Sequence, residues 1–115
     1  MDKFTGGYIE ALFWSASDDA IHSADMTELA PGVWDRMKAD CVSFQRDARD
    51  LLDLANELGR DDAHLGHDFA LTRNGHGTGF WDRDLGKVGE YLTNYAHRAG
   101  EADLYVGDDG KIYHS

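Results

Sequence analysis

A stripe of apolar residues running from Trp34 to Leu58 constrains the fold of this chain more than any other feature. Trp34, Met37, Cys41, Phe44, Ala48, Leu51, Leu52, Ala55 and Leu58 follow one another at three- and four-residue steps, the spacing of one helix face. Pro31 suits the first turn of such a helix and Gly59 its end. The spacing therefore predicts one long helix over 31–59 that supplies most of the core. At 115 residues the chain has room for a single domain, 1–115, built on that core.

Two shorter helices flank it in the pattern. Tyr8, Ile9, Leu12, Phe13 and Ala16 predict a helix over 5–17, with Thr5 as N-cap and Gly6-Gly7 weakening its first turn. Leu85, Val88, Leu92, Tyr95 and Ala99 predict another, capped by Asp82 or Asp84 and ended by Gly100. The polar stretch 18–27 reads as a surface loop. Between the helices, Phe69 and Leu71 alternate with polar or small residues, and Phe80-Trp81 follows a glycine-rich turn. That pattern predicts a strand pair. Asp108-Asp109-Gly110 between Leu104-Tyr105-Val106 and Ile112-Tyr113 predicts a second hairpin. The expected order is ααββαββ, an α+β domain with helices on one face of a small, mostly antiparallel sheet.

Charge narrows the classes of function. The chain carries 22 acids against 11 Lys and Arg, a formal charge of −11, which disfavours direct contact with DNA or an anionic membrane and points to a basic partner or to high solubility. Residues 1–30 hold six acids and one base, whereas 64–100 hold four of each. Asp40, Asp47, Asp50, Asp53 and Glu57 lie along the flank of the predicted long helix. They form a candidate partner-binding row, spaced as a mimic of a nucleic-acid backbone would be, although a solvated helix flank has the same pattern. Arg36–Asp40, Arg46–Asp50 and Arg49–Asp53 are candidate i,i+4 pairs.

The neutral stretch carries the densest chemistry: Thr72-Arg73-Asn74-Gly75-His76-Gly77-Thr78-Gly79-Phe80-Trp81-Asp82-Arg83. His76 between two glycines is a candidate acid–base group at an exposed tip, with Asp82 or Asp68 beside it and Arg73 or Arg83 as anion ligands. Arg73, Asn74, His76, Trp81, Asp82 and Arg83 form the candidate ligand set. The glycines do not match a P-loop or a dinucleotide fingerprint, and no nucleophile stands in a recognisable setting. His64, His67 and Asp68, with His76 opposite, have loose metal-ligand spacing. Exposed loop histidines explain them as well, and the expectation is no metal and no cofactor. Cys41 falls on the apolar stripe as a core residue. Trp14, Trp34 and Trp81 read as core or rim packing, Trp81 doubling as a partner anchor if exposed. The first residues lack the basic-then-apolar pattern of a leader, so the expectation is a soluble, intracellular protein.

The run from His67 to Arg83, containing Leu71-Thr72-Arg73-Asn74-Gly75-His76-Gly77 and Gly79-Phe80-Trp81-Asp82-Arg83, resembles one carried by small proteins of tailed bacteriophages. The ending Asp103-Leu104-Tyr105-Val106-Gly107-Asp108-Asp109-Gly110-Lys111-Ile112-Tyr113 and the opening Tyr8–Ser15 resemble the same family. The resemblance implies a phage or prophage origin and brings over no catalytic residues. By analogy it implies a non-enzymatic protein of the host cytoplasm that binds and inhibits a basic host protein, an anti-CRISPR or anti-restriction inhibitor among the choices. The alternative is a ligand-binding or enzymatic site around His76, and a third reading is an oligomeric phage accessory protein.

Overall fold

The computed structural model describes residues 1–115 and bears out the α+β class with a different central segment. Asp2, not Thr5, starts the first helix: its carboxylate accepts from the Thr5 backbone N–H at 2.7 Å, and α1 spans Lys3–Ser15. Gly7 does more than loosen the first turn. A Cβ there would overlap the Ala63 carbonyl oxygen, and one on Gly66 would overlap that of Phe4. The two glycines let α1 and α5 (Asp62–Arg73) press backbone to backbone, and this is the most extensive packing in the molecule.

The predicted loop after α1 is partly ordered. Asp18 caps a short α2, Asp19–His22, which buries Ile21. Asp25 and Glu28 then form a reciprocal capping box on a 3-10 turn, Met26–Glu28. The predicted long helix is two helices, α3 Val33–Asp47 and α4 Arg49–Glu57, bent at Ala48. No proline or glycine marks that bend, which is why the spacing hid it. The apolar stripe still does its work: Met37, Cys41, Phe44, Ala48, Leu52 and Ala55 are buried, while Leu58 at the end is exposed.

The largest correction concerns Phe69 and Leu71, which lie in α5 and not in a strand. Leu65, Gly66, Asp68, Phe69, Ala70, Leu71, Thr72 and Arg73 are all buried. A helix enclosed on every side has no polar face to reveal its period, and the buried polar residues mimic alternation. Asn74-Gly75 ends that helix instead of turning a hairpin. The His76 N–H reaches the Leu71 carbonyl at 3.0 Å and the Gly75 N–H the Thr72 carbonyl at 3.2 Å, with Gly75 at φ +70°. This is a Schellman cap, which needs the left-handed conformation glycine takes without strain. Phe80–Asp82 is a 3-10 turn. Helix α6, Lys87–Arg98, starts after Gly86 and is capped by neither Asp82 nor Asp84.

The terminal hairpin forms as expected, with β1 Leu104–Val106 antiparallel to β2 Ile112–His114. Leu29 adds a short parallel bridge to Ile112, so the chain after α2 flanks β2 on the edge opposite β1. Phe4, Phe44, Phe69 and Phe80 meet at the centre of the core, Phe44 and Phe69 stacking at 4.0 Å between ring centroids.

Candidate functional site

Arg73, offered by the sequence as an anion ligand, lies inside the protein. Its guanidinium donates to Tyr8 Oη at 2.9 Å, Asp40 Oδ2 at 2.8 Å, Gly100 O at 2.8 Å and Ala99 O at 3.0 Å, and its cation stands over the Phe69 ring. It therefore closes the carboxyl end of α6, ties α3 to α5, and satisfies carbonyls that a helix end leaves unmet. Tyr8 Oη also contacts His114 Nε2 at 3.1 Å. Burial raises the Tyr8 phenol and pushes the His114 imidazole down to about 4, so both are neutral near pH 7. Arg36 does not pair with Asp40. It donates to the carbonyls of His114 and Ser115 at 2.8 and 2.7 Å.

Arg83 and Asp68 are also structural. Asp68 is fully buried. It accepts from Arg60 Nε and Nη2 at 3.0 and 3.1 Å, and from Arg83 Nε at 2.9 Å. A carboxylate in that setting is held by two guanidiniums because an unpaired buried charge is so costly. Asp68 is thus unavailable to His76 or to a metal, and His64 Nδ1 is taken by Asp61 at 2.7 Å. His67 packs against the exposed Trp14, and partial burial lowers its pKa. Asn74 is a staple: Ala102 N–H donates to its Oδ1 at 2.8 Å, fixing the tail to the end of α5.

Of the candidate ligand set, His76 and Trp81 remain at an open cleft. His76 is half-buried, not an exposed tip, and neither Asp82 nor Asp68 is hydrogen-bonded to it. Its Nε2 is buried without a partner. With Trp81 it lines a cleft of about 430 Å³ against Glu90, Thr93, Asn94 and His97 of α6. Asp82 is exposed outside it.

The acidic row is broken up. Asp40 is taken by Arg73, Asp47 contacts Arg46 at 3.1 Å, and Asp53 contacts Arg49 at 3.1 Å. Of the three predicted i,i+4 pairs only Arg49–Asp53 forms. Asp50 and Glu57, both on α4, have no basic partner, and the bend at Ala48 sets them on a different helix from Asp40 and Asp47 of α3.

The fold concentrates negative charge elsewhere. The Ala30 N–H donates to the Ile112 carbonyl at 2.8 Å, and α2 packs on β1. This brings segment 16–30, with four acids and no Lys or Arg, against segment 101–115, with four acids and one lysine. Asp18, Asp19, Asp25, Glu28, Glu101, Asp108 and Asp109 are exposed, and Asp103 is half-buried. The Thr27 hydroxyl and N–H hold Asp25 below the usual carboxylate range; the Lys111 N–H and Tyr113 hydroxyl do the same for Asp109. Met26 in the first segment and Tyr105 and Val106 in the second are exposed as well. Sequence reasoning missed this surface because its halves are some seventy residues apart. The signal available was the charge of each terminal segment, not their meeting.

No protein-family model, curated protein or solved structure matches this chain.

Proposed function

We propose that the protein is a non-catalytic binding protein whose acidic end, formed by 16–30 and 101–115, engages a basic protein partner. The observation that carries this reading is the meeting of two acidic, almost base-free segments, one exposing Met26 and the other Tyr105 and Val106. Concentrated charge steers a basic partner to the surface, and aromatic or Met side chains supply the desolvated contacts that hold it. The reading replaces the α3–α4 row as the main contact, since Asp40 is committed inside the fold. Resemblance to tailed-phage proteins extends it to a partner class: a host nucleic-acid-binding defence complex in the bacterial cytoplasm, with the acidic end taking the place of a nucleic-acid backbone.

The test is capture of a defined partner from bacterial lysate, compared between two charge-reversed proteins. Asp18→Lys, Asp25→Lys and Asp108→Lys together should abolish capture, whereas Asp50→Lys with Glu57→Lys should preserve it. Capture should weaken steeply with salt and be displaced by added DNA or RNA. Loss only with the α4 pair would restore the helix row, and a salt-independent complex would reject an electrostatic interface.

A further inference from the structure

The cleft beside the Gly75–His76 cap has a chemistry that the acidic end does not explain. Its walls, which include His76, Trp81, Glu90, Thr93, Asn94 and His97, contain one carboxylate and no Lys or Arg. Glu90 is a counter-ion for a cation, whereas Lys and Arg, the permanently charged partners of a phosphate or carboxylate, are absent from the walls. At about 430 Å³ it sits toward the small end of ligand clefts, roughly 300–1,000 Å³.

Trp81 gives the cleft a fixed aromatic face. The residue is 45% exposed, which leaves part of its ring free to meet a ligand. It is nevertheless positioned: a Cβ on Gly79 would stand 2.7 Å from Trp81 Cζ3 and would collide with Thr72 Oγ1. The ring thus lies against bare glycine backbone, and the Phe80 N–H donates to Thr72 Oγ1 at 3.2 Å. A face ordered before binding loses little entropy when something stacks on it.

We propose that this cleft receives an arginine side chain of a protein partner, stacked on Trp81 with Glu90 as its counter-ion. The inference rests on the reading of a basic partner and names the side chain that would anchor it. Guanidinium is planar, weakly hydrated and permanently charged, so it stacks on indole better than ammonium does. Its several N–H donors find the Glu90 carboxylate and the Asn94 amide oxygen. Thr93 spends its hydroxyl proton on the Gly89 carbonyl at 2.8 Å and keeps lone pairs to accept with. Buried aromatic and arginine anchors of this kind dominate many interfaces.

The test uses the intact protein alone, so it does not depend on finding the partner. N-acetylarginine amide is titrated in while backbone amides and the Trp81 indole N–H are followed by NMR, with N-acetyllysine amide and inorganic phosphate as comparisons. The expected result is a saturable, weak response centred on His76, Trp81, Glu90 and Asn94. The lysine probe should bind less well and phosphate should not bind at the cleft. Glu90→Gln should weaken arginine binding about three-fold, as loss of an exposed charge contact does, and Trp81→Leu by about three- to ten-fold. Both positions are exposed, and circular dichroism checks that each variant keeps its fold. Absence of a saturable cleft response up to the probe's solubility limit overturns the proposal, as does equal binding of the lysine probe or unchanged binding in both folded variants. A positive cleft response with failed lysate capture would reject the acidic-end reading alone. Capture without a cleft response would reject the arginine anchor alone.

Discussion

Replacing Arg73 with methionine separates a structural arginine from a ligand-binding one. The substitution keeps an unbranched apolar stem and removes the donors to Tyr8, Asp40, Ala99 and Gly100. Breaking a buried ion pair by removing one partner costs about 3–5 kcal/mol. The Asp40 side chain is 30% exposed and regains water, which lowers the cost, while the Ala99 and Gly100 carbonyls just past α6 lose their charged donor. A net loss of about 3 kcal/mol follows, a large share of the ~5–15 kcal/mol that holds a typical domain. With an m-value of about 1–2 kcal/mol/M, the urea midpoint should fall by roughly 1.5–3 M. The assay is urea unfolding followed by circular dichroism, on Arg73→Met, Asp40→Asn and the double variant. Asp40→Asn should cost about 1 kcal/mol, and the double variant less than the sum, because the second change removes a charge already unpaired. A ligand-binding arginine would behave oppositely, since residues kept for binding often cost stability. A loss under about 1 kcal/mol for Arg73→Met would refute the reasoning.

Three further outcomes follow from the packing. Gly66→Ala should destabilise by at least about 3 kcal/mol, because its Cβ would overlap the Phe4 carbonyl oxygen and stand 3.0 Å from Tyr8 N; a variant unfolding near the wild-type midpoint would contradict the backbone-to-backbone crossing. Stability should decline as pH falls from about 6.5 toward about 4, since His114 is held neutral beside Tyr8 and Arg73 while the unfolded chain takes up a proton. The slope reaches at most about 1.4 kcal/mol per pH unit and flattens below the folded pKa for this group. His67 shifts in the same direction, so His114→Gln should reduce the slope without abolishing it, as read by thermal melts across that range. Cys41, buried with its thiol pushed up to about 12, should react with thiol reagents only as fast as the protein opens; rapid labelling of the native protein would show that the stripe is not closed.

Amphipathic elements could be read directly from the sequence. The Trp34–Leu58 stripe, the α6 stripe and the Asp108-Asp109-Gly110 turn each declare themselves through a period or a turn signal lying within about a dozen neighbouring residues. Helix α5 did not, because burial on every side erased its period and placed Asp68, Thr72 and Arg73 where apolar residues are usual. The motif that looked like a ligand loop consists largely of such residues: Arg73, Asn74 and Arg83 hold the fold, and only Gly75, His76 and Trp81 of it line the cleft.

What the sequence by itself determined was the class of the domain, the members of its apolar core and the acidity of its two ends, because composition and local periodicity are properties of neighbouring residues. The tertiary structure decided which charges are spent and which are displayed. Asp40 and Asp68 look no different in sequence from Asp25 and Asp108, yet one pair is clasped by arginines and the other exposed. The difference comes from partners eight to about thirty residues away in the chain, and burial makes each such pairing obligatory once the helices meet.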